Sequence, residues 1–537
     1  MKKSNKLLFS ILIFLMVTGL IHVNSHKNIV YAETCNSTDT SAEANTIHVS
    51  GYISENTTWT NNYTYVVDGT IIVQQGVKLQ IDQGVIVKCT QGTEIIVNGT
   101  LSVSGTESDK VVFTSYKDSA YGGSGVTGSY DYWIGITVYS TGEFSGDNVK
   151  IRYAGMDYSS YSPHCAIDVE GKLNLTNSEV SNSKNNGIYL NTSFDAEIKN
   201  NDIISNQGTG IYINNKGVDA NNTMDIENNT ISRNRGRGVY ISQTGTGNAV
   251  IKGNTVSGNE GSGIYVDIFG TGNFSVQNNN LLNNSESGVY VNLGGLSSSI
   301  FTGIAGNTYE GNTMSGAACN GVGIGGSITV DLTLSNAVYC LSYAQVPKGK
   351  TLTVQSGTII KSSSKGSSIE VYGKLNAMGT KDSPIVFTSY KDSAYGGSGV
   401  TGSYDYWIGI TIYSTGEFSG DNVKIRYAGV DYSTYSRHCA IDVEGKLNLT
   451  NSEVSNSYEY SIFFNTNVQP MLFGNTFAAN NIGMYNNKAS IITIDAQNNY
   501  WNSNSGPSVY DNIKGKWVGD GDKVNEGINY FPWMTRL

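Results

Sequence analysis

The charged residues that could do acid–base chemistry lie in a block that occurs twice in the chain. In the first copy, Lys150 and Arg152 alternate with a valine and an isoleucine, so both point outward if the aliphatic residues fill a core. Asp168 and Glu170 alternate with aliphatic residues in the same way. Elimination from a uronate polymer requires a group that neutralises the carboxylate and a base that removes the neighbouring proton. The candidate catalytic residues are therefore these four and their copies, Lys424, Arg426, Asp442 and Glu444.

The same residues also have a structural interpretation, which we favour over the catalytic one. Aligning the asparagine corners of successive coils places Glu179 beside Lys150, and such a cross-strand charge pair is worth roughly a few tenths of a kcal/mol. The chain has no Asp-Asp pair, which argues against a hydrolase that works with clustered aspartates. His164 and His438 are expected in exposed turns, and no metal site is predicted.

A second group of candidate residues belongs to a short phrase, Gly-[Ile/Val]-Tyr-[aliphatic], that recurs five times. The aliphatic residues on either side of each tyrosine share one face, so the tyrosine must point outward if they fill the core. The rings would then form a surface column with about 4.8 Å per coil. Such a column either stabilises the stack, at about 0.5–1.5 kcal/mol per ring pair, or forms an aromatic track for a sugar chain. The candidate ligand-binding residues are Tyr189, Tyr212, Tyr240, Tyr265 and Tyr290.

The spacing of this phrase predicts the elements that position it. The steps between its glycines are 23, 28, 25 and 25 residues, and a period in the twenties indicates a solenoid. Each repeat contains short β-rich pieces separated by Asn and Gly corners, without helical periodicity, so the solenoid is a β-helix. Asparagines at fixed offsets should form ladders that satisfy the backbone of the corners. They are Asn201, Asn229, Asn254 and Asn279, and Asn206, Asn234, Asn259 and Asn284.

A long duplication predicts two tandem modules. Residues 111–183 return as 385–457 with five changes in 73 positions. We expect a signal peptide at 1–32, because lysines precede a short apolar run and small residues suited to cleavage follow it. A polar linker (33–47), a first β-helix module with the tyrosine phrase (48–322) and a second module (323–537) would follow. The sequence leaves open whether the two modules form one continuous β-helix. The second module ends in a segment rich in aromatic residues, which is expected to cap the open core.

Composition limits the partners. The net charge is −10 and becomes more negative without the signal peptide, which argues against nucleic acid as a partner. A secreted or cell-surface location and no membrane insertion after signal removal are predicted. Cys165 and Cys439 would lie about ten coils apart, too far for a disulfide. Cys319 and Cys340 lie about one coil apart, and the sequence leaves open whether they are bonded.

Three features of the sequence resemble a known group of proteins. They are an entry motif between Lys350 and Ser389, the repeated coils, and a closure that combines Asn499-Tyr500-Trp501, Ser505-Gly506-Pro507 and Phe531-Pro532-Trp533. Together they resemble the bacterial secreted and surface right-handed parallel β-helix proteins of the pectate-lyase-like superfamily. The resemblance implies an all-β fold and says little about function, because this scaffold hosts lyases, hydrolases, epimerases, adhesins and inert stalks.

The resemblance also bears on cofactors. In relatives, the loop after the Phe-Thr-Ser segment often carries several acids and looks like a calcium-binding loop. Here residues 117–128 keep only Asp118, whereas calcium takes six or more oxygen ligands. No cofactor is therefore predicted, although calcium remains the one cation that this loop could suggest.

We interpret the chain as a secreted or cell-surface β-helical protein that acts as a non-catalytic adhesin, spacer or glycan-binding scaffold. The alternative is a polysaccharide lyase, or another carbohydrate-active enzyme of the pectate-lyase-like superfamily, that uses the duplicated basic and acidic residues. In either case a polysaccharide or cell-surface glycan is the expected partner.

Overall fold

The computed structural model describes residues 45–156, 165–217, 219–295, 300–430 and 438–535. The predicted signal peptide, His164 and the predicted linker up to residue 44 lie outside these residues. The described residues form mostly parallel strands joined by turns, with short 3-10 turns at Ser119–Tyr121, Ser129–Asp131, Ile300–Gly303, Ser393–Tyr395 and Ser403–Asp405. None of the described helical turns is long and apolar enough to cross a membrane.

Each coil contributes strands to three ladders of parallel strands. The tyrosine ladder of the first module consists of Glu94–Val97, Gly135–Val138, Cys165–Val169, Asn186–Leu190, Ile211–Asn215, Val239–Gln243, Ile264–Ile268, Val289–Asn292 and Val322–Ser327. Its second ladder consists of Ile86–Cys89, Val111–Ser115, Val149–Arg152, Glu179–Ser181, Asp202–Ile204, Thr230–Ser232, Thr255–Ser257, Asn280–Leu282 and Thr308–Glu310. Its third ladder consists of Thr57–Trp59, Lys78–Asp82, Thr100–Ser104, Glu143–Asp147, Lys172–Thr176, Ala196–Lys199, Thr223–Glu227, Asn248–Lys252, Phe274–Gln277 and Ile304–Ala305.

The second module repeats this plan with fewer coils. The strands equivalent to the tyrosine ladder are Ser368–Val371, Gly409–Ile412, Cys439–Val443, Tyr460–Phe464 and Ile482–Asn486. The second ladder continues as Ile359–Ser362, Ile385–Thr388, Val423–Arg426, Glu453–Ser455 and Thr476–Ala478. The strands equivalent to the third ladder form a separate six-stranded sheet of Leu332–Leu334, Thr351–Val354, Lys374–Met378, Glu417–Asp421, Lys446–Thr450 and Met471–Phe473. The closing strands are Ile494–Asp495, Ser508–Asp511, Lys516–Val518, Lys523–Val524 and Ile528–Asn529.

Each module begins with a long strand that supplies two ladders at once. Thr64–Val73, which pairs with the N-terminal strand Thr46–Ile53, also pairs with the first strands of the second and tyrosine ladders. Val338–Val346 does the same for the second module. Val322–Ser327 pairs with both Val289–Asn292 and Val338–Val346. Strand pairing therefore continues from one module into the next.

The junction between the modules carries the disulfide that the sequence left open. Cys319 and Cys340 are bonded, with their Cα atoms 5.9 Å apart. Cys319 follows a short hairpin, Thr313–Met314 with Ala317–Ala318, and Cys340 lies on the long strand that starts the second module. Cys165 and Cys439 remain thiols, as predicted.

The corners of the coils explain why asparagine recurs. Asn229 is buried, and its side-chain oxygen accepts hydrogen bonds from the backbone and side-chain nitrogens of Asn201, at 2.9 and 3.1 Å. Its own side-chain nitrogen donates to Asn254 on the next coil, at 2.9 Å. The residue before each such asparagine is left-handed, with φ of 56° at Asn228 and 67° at Gly253, a conformation that Asn and Gly tolerate. The predicted asparagine ladders are confirmed, and they extend to Asn307 and Asn312.

The core is one continuous column of aliphatic and aromatic side chains from Val49 to Ile528. Strands alternate buried and partly exposed residues, as in Val149–Arg152 and Lys172–Thr176, which is the pattern of a sheet with one face on a core. At the C-terminal end, Trp501 is fully buried and stacks on Phe477 with ring centroids 5.0 Å apart. The all-β parallel β-helix predicted from the repeats is confirmed.

Candidate functional site

The five tyrosines of the repeated phrase form the predicted column on the outside of the tyrosine ladder. Each tyrosine lies directly opposite the next in the strand register. Successive ring centroids are separated by 5.0, 4.6, 5.4 and 4.9 Å along the column. The aliphatic neighbours of each ring are fully buried, for example Val239 and Ile241 beside Tyr240. The rings are half-buried, so the column presents ring edges and hydroxyl groups to solvent.

The glycine that starts each phrase is required by close packing of the coils. A Cβ atom on Gly210 would lie 2.7 Å from the carbonyl oxygen of Gly238, and one on Gly263 would lie 2.6 Å from that of Gly288. These contacts are with backbone and cannot be relieved by moving a side chain. The glycines therefore hold successive coils close enough for the rings to touch.

A second row of side chains, two residues after each tyrosine, was not identified from the sequence. Residues two apart on a strand share a face, so this row runs parallel to the rings. It offers amide, hydroxyl and carboxylate groups, and Asn214 donates to Asn191 at 3.2 Å. The row consists of Asn191, Asn214, Ser242, Asp267 and Asn292. We call the five rings and this row the tyrosine face.

Arg237 adds a positive charge to the tyrosine face. Its guanidinium carbon lies 4.1 Å from the ring centroid of Tyr265 and 5.0 Å from that of Tyr240, a cation–π arrangement. Its Nε atom is buried without a hydrogen-bond partner among the described residues. Arg237 directly precedes the Gly238 phrase, so its position beside the column could have been read from the repeat.

Asp267 ties the column to the polar row. The hydroxyl of Tyr240 donates to one carboxylate oxygen at 2.9 Å, and the amide of Asn292 donates to the other at 2.6 Å. Burial raises the pKa of Tyr240, and the hydrogen bond to Asp267 raises it further. Burial and Asp267 raise the pKa of Tyr265 to about 12. These phenols stay protonated at neutral pH, so they can donate hydrogen bonds but are unsuited to act as bases.

Asp168, one of the predicted catalytic residues, lies at the start of the column. It is directly opposite Tyr189 on one side and Thr137 on the other. Burial, with the nearby carboxylates of Glu170 and Glu94, raises the pKa of Asp168 to about 7. Glu94 in turn accepts a hydrogen bond from the Thr137 hydroxyl. In the second module, Asp442 lies between Thr411 and Phe463 in the same way, with Glu444 following on the same face.

The predicted basic residues point out of the core, but the arginines are held by buried acids. Arg152 has 18% of its side chain exposed and lies 3.3 Å from Asp118, which is 2% exposed. Arg426 lies 2.7 Å from Asp392 and 3.4 Å from Glu453. The charge of a guanidinium held in this way is already compensated by the buried acid, which makes it a weaker partner for a substrate carboxylate.

The two lysines have acidic neighbours, as predicted. Lys150 lies directly opposite Glu179, and Lys424 lies directly opposite Glu453. His438 contacts an acid as well, with its Nδ1 atom 2.9 Å from Glu459. The register favours the structural interpretation of this part of the block.

The loop that could have suggested calcium uses its acid internally. Asp118 accepts hydrogen bonds from the Thr114 hydroxyl and the Ala120 backbone, at 2.7 and 3.0 Å, in addition to contacting Arg152. Within the described parts of the chain, no three His, Cys, Asp or Glu residues are grouped so as to hold a metal ion.

A charged groove on the third ladder was missed by the sequence analysis. It has a volume of about 270 Å³, and its ionisable lining residues are Glu143, Lys172, Asp195, Glu197 and Asp225. Beside it, Lys199 lies 2.6 Å from Asp225 and 3.5 Å from Glu197. The hydrogen bond to Asp225 raises the pKa of Lys199, so this lysine is a firmly protonated ion-pair partner and a poor general base.

Comparison with known proteins identifies the family. Residues 164–339 match the family model of the right-handed β-helix region, and residues 51–157 and 326–437 match that of the pectate-lyase-like β-helix domain. No curated protein sequence matches the chain.

Solved structures that are similar to the chain include two enzymes that act on alginate. One is a double mutant of a periplasmic alginate epimerase, with 10% identity, a TM-score of 0.25, and coverage of 80% of this chain and 85% of that chain. The other is a PL6 family alginate lyase, with 11% identity, a TM-score of 0.20, and coverage of 90% of this chain and 86% of that chain. With the two family models together matching well over half of its residues, the chain belongs to the right-handed parallel β-helix proteins with pectate-lyase-like β-helix domains.

Proposed function

We propose that this protein is a non-catalytic β-helical scaffold that acts outside the cell and binds a polysaccharide along its tyrosine face. The observation that carries the proposal is the regular geometry of that face. Five rings and five hydrogen-bonding side chains repeat together, coil by coil. A polymer of sugar rings has apolar faces and hydroxyl edges, and it can use both rows at once.

The chemistry of the face suits a sugar chain rather than a reaction. The tyrosine hydroxyls, the amides of Asn214 and Asn292, and the carboxylate of Asp267 donate or accept hydrogen bonds. Arg237 supplies donors for a hydroxyl or an acidic group, because its guanidinium contacts ring faces instead of an acid. The raised pKa values of Tyr240 and Tyr265 make these phenols poor bases for proton abstraction.

An extracellular location is supported by two features. The first is the predicted signal peptide at residues 1–32. The second is the Cys319–Cys340 disulfide, because disulfides persist in oxidising compartments and are rare in the cytosol.

Binding is tested on the tyrosine face itself. Tyr240→Ala and Tyr265→Ala should weaken binding to the polysaccharides recognised on a glycan array by about tenfold each, since a ring contact worth about 1.4 kcal/mol corresponds to a tenfold change in affinity. Tyr372→Ala is the matched control, because Tyr372 also stacks on a tyrosine, Tyr413 at 4.0 Å, but lies outside the tyrosine face. Unchanged binding in both face variants would refute the proposal.

The absence of catalysis has its own test. Pectate, alginate and glycosaminoglycans incubated with the full chain should give no absorbance from unsaturated uronates. A signal that disappears in the Lys150→Ala/Lys424→Ala double variant would establish the alternative, a polysaccharide lyase.

A further inference from the structure

The last coil and the C-terminal segment enclose an aromatic cleft, separate from the tyrosine face. Its volume is about 420 Å³, within the usual range for small-molecule sites. Four of its lining residues are aromatic and three are polar. The aromatic residues are Tyr485, Tyr510, Trp517 and Tyr530, and the polar ones are Asn512, Asn525 and Glu526. We call it the cap cleft.

Tyr485 has a ring face that the inner tyrosines of the main column lack. On one side it stacks on Phe463, with centroids 5.2 Å apart and planes 13° apart. The next strand, Lys523–Val524, carries no ring, and Asn525, which follows it, lines the cleft. By contrast, Tyr240 has rings on both sides, at 4.6 and 5.4 Å. As the last ring of its stack, Tyr485 keeps one face for a ligand.

A hairpin brings two more rings to the cleft. Tyr510 and Trp517 lie opposite each other on the antiparallel strands Ser508–Asp511 and Lys516–Val518, with centroids 5.5 Å apart and planes 72° apart. The hairpin is joined to the solenoid through the pairing of Val509 with Val524. Tyr510 is 49% exposed. Strand pairing therefore holds the rings in place before any ligand arrives, which lowers the entropy cost of binding.

The charges at the cleft favour an uncharged ligand. Glu526 is the one acidic residue that lines it, and Lys523 lies nearby with its Nζ atom 5.5 Å from the ring centroid of Trp517. These opposite charges leave no excess to attract an ion. Aromatic faces, two amides and one carboxylate match the apolar faces and hydroxyl groups of a sugar.

We propose that the cap cleft is a second carbohydrate-binding site, which takes a short uncharged oligosaccharide. Its sugar rings lie against Tyr485 and Trp517, and its hydroxyl groups bond to Asn512, Asn525 and Glu526. This site is independent of the polysaccharide bound along the tyrosine face.

The test is a titration of the full chain with cellohexaose and chitohexaose as uncharged probes and trigalacturonate as a charged comparator. Of the six tryptophans, Trp517 and Trp533 are the two that are not buried, so binding should change the intrinsic fluorescence. Because Trp517→Ala removes the fluorescent side chain at the cleft, binding to that variant is measured by calorimetry. We expect at least one uncharged probe to bind. Trp517→Ala and Tyr485→Ala should each raise its dissociation constant by about tenfold.

Two further variants act as controls. Tyr485→Phe should retain binding because the ring face remains, and Tyr372→Ala should retain it because that ring, stacked on Tyr413, lies outside the cap cleft. Thermal unfolding shows whether Tyr485→Ala still folds, and Trp517→Ala, on the peripheral hairpin, serves if it does not. No binding of either uncharged probe at millimolar concentration, or binding unaffected by Trp517→Ala, would overturn the cap-cleft proposal. Dependence on Tyr240 instead would overturn it while leaving the tyrosine face in place.

Discussion

The two copies of the duplicated block make the same internal contacts in different surroundings. In each copy, an arginine, Arg152 or Arg426, reaches a buried aspartate in the loop before it. In each copy, a buried tryptophan donates its indole hydrogen to the carbonyl of that arginine, at 2.9 and 3.0 Å. Because both contacts lie within the protein and use buried groups, we interpret them as architecture.

Outside the block, equivalent positions differ in chemical character. Positions 274 residues apart on the third ladder carry Asp195, Glu197 and Lys199 in the first module, and Gln469, Met471 and Phe473 in the second. In the first set, Lys199 forms ion pairs with Asp225 and Glu197, whereas Met471 and Phe473 are 54% and 56% exposed. The ladders themselves also differ, because Tyr189 continues into four more rings, whereas Phe463 leads through Tyr485 to the cap cleft. The two copies therefore diverge in surface chemistry after residue 183, where their near-identity ends.

The largest effect should come from breaking the shared ion pair. Arg152→Met or Arg426→Met leaves a buried aspartate without its partner, which should lower the free energy of unfolding by about 3–5 kcal/mol. Lys150→Met is the control, because it removes a positive charge from the same strand without leaving a buried carboxylate unpaired. Urea unfolding of the three variants measures this. Unequal losses in the two arginine variants would mean that the copies are not structurally equivalent.

A somewhat smaller effect is expected in the asparagine ladder of the first module. Asn234→Ala removes hydrogen bonds to Asn206, Asn259 and the Ile203 carbonyl, and buried groups left unpaired cost about 1–3 kcal/mol. Asn214→Ala, in the partly exposed polar row, should cost much less. Both are measured by urea unfolding. Equal losses would show that burial does not set the value of these amides.

Asp168, at the start of the tyrosine column, should make the stability of the protein depend on pH. Its folded pKa, about 7, is above the unfolded value of about 3.9. Its favourable contribution is therefore complete below pH 4 and lost as the pH rises through 7. Between pH 4 and 8, the native protein should lose about 2 kcal/mol more stability than Asp168→Asn, allowing for screening by water at a partly exposed site. Parallel pH profiles of unfolding would contradict the expectation.

The smallest effect should follow from exchanging the surface of one module for that of the other. Glu197→Met/Lys199→Phe gives the first module the residues of the second at these positions. Surface ion pairs are worth about 0–1 kcal/mol, so the unfolding midpoint should change little. A loss of several kcal/mol would show that the charged groove holds the coil together.

The sequence predicted the elements that depend on local pattern. The tyrosine column followed from the aliphatic residues beside each ring, and the asparagine ladders from constant spacing. Contacts that depend on loops were not predictable. The pairing of Arg152 with Asp118 requires the loop of residues 116–132 to fold back over the strand, and no periodicity specifies that. The groove needs Asp225 to lie beside Glu197, across a step lengthened to 28 residues.

The asparagine ladders have a consequence for how the protein can change in length. Each asparagine inside a ladder accepts a hydrogen bond from the asparagine of the coil before it and donates one to the asparagine of the coil after it. The direction is the same along the ladder, as from Asn229 to Asn254 and from Asn254 to Asn279. Removing residues 229–253 would bring Asn254 opposite Asn201, with the same donors and acceptors in place. The length of the solenoid can therefore change only by whole coils, in steps of about 4.8 Å. A lineage can lengthen or shorten its reach by whole coils, while its two ends keep their own chemistry.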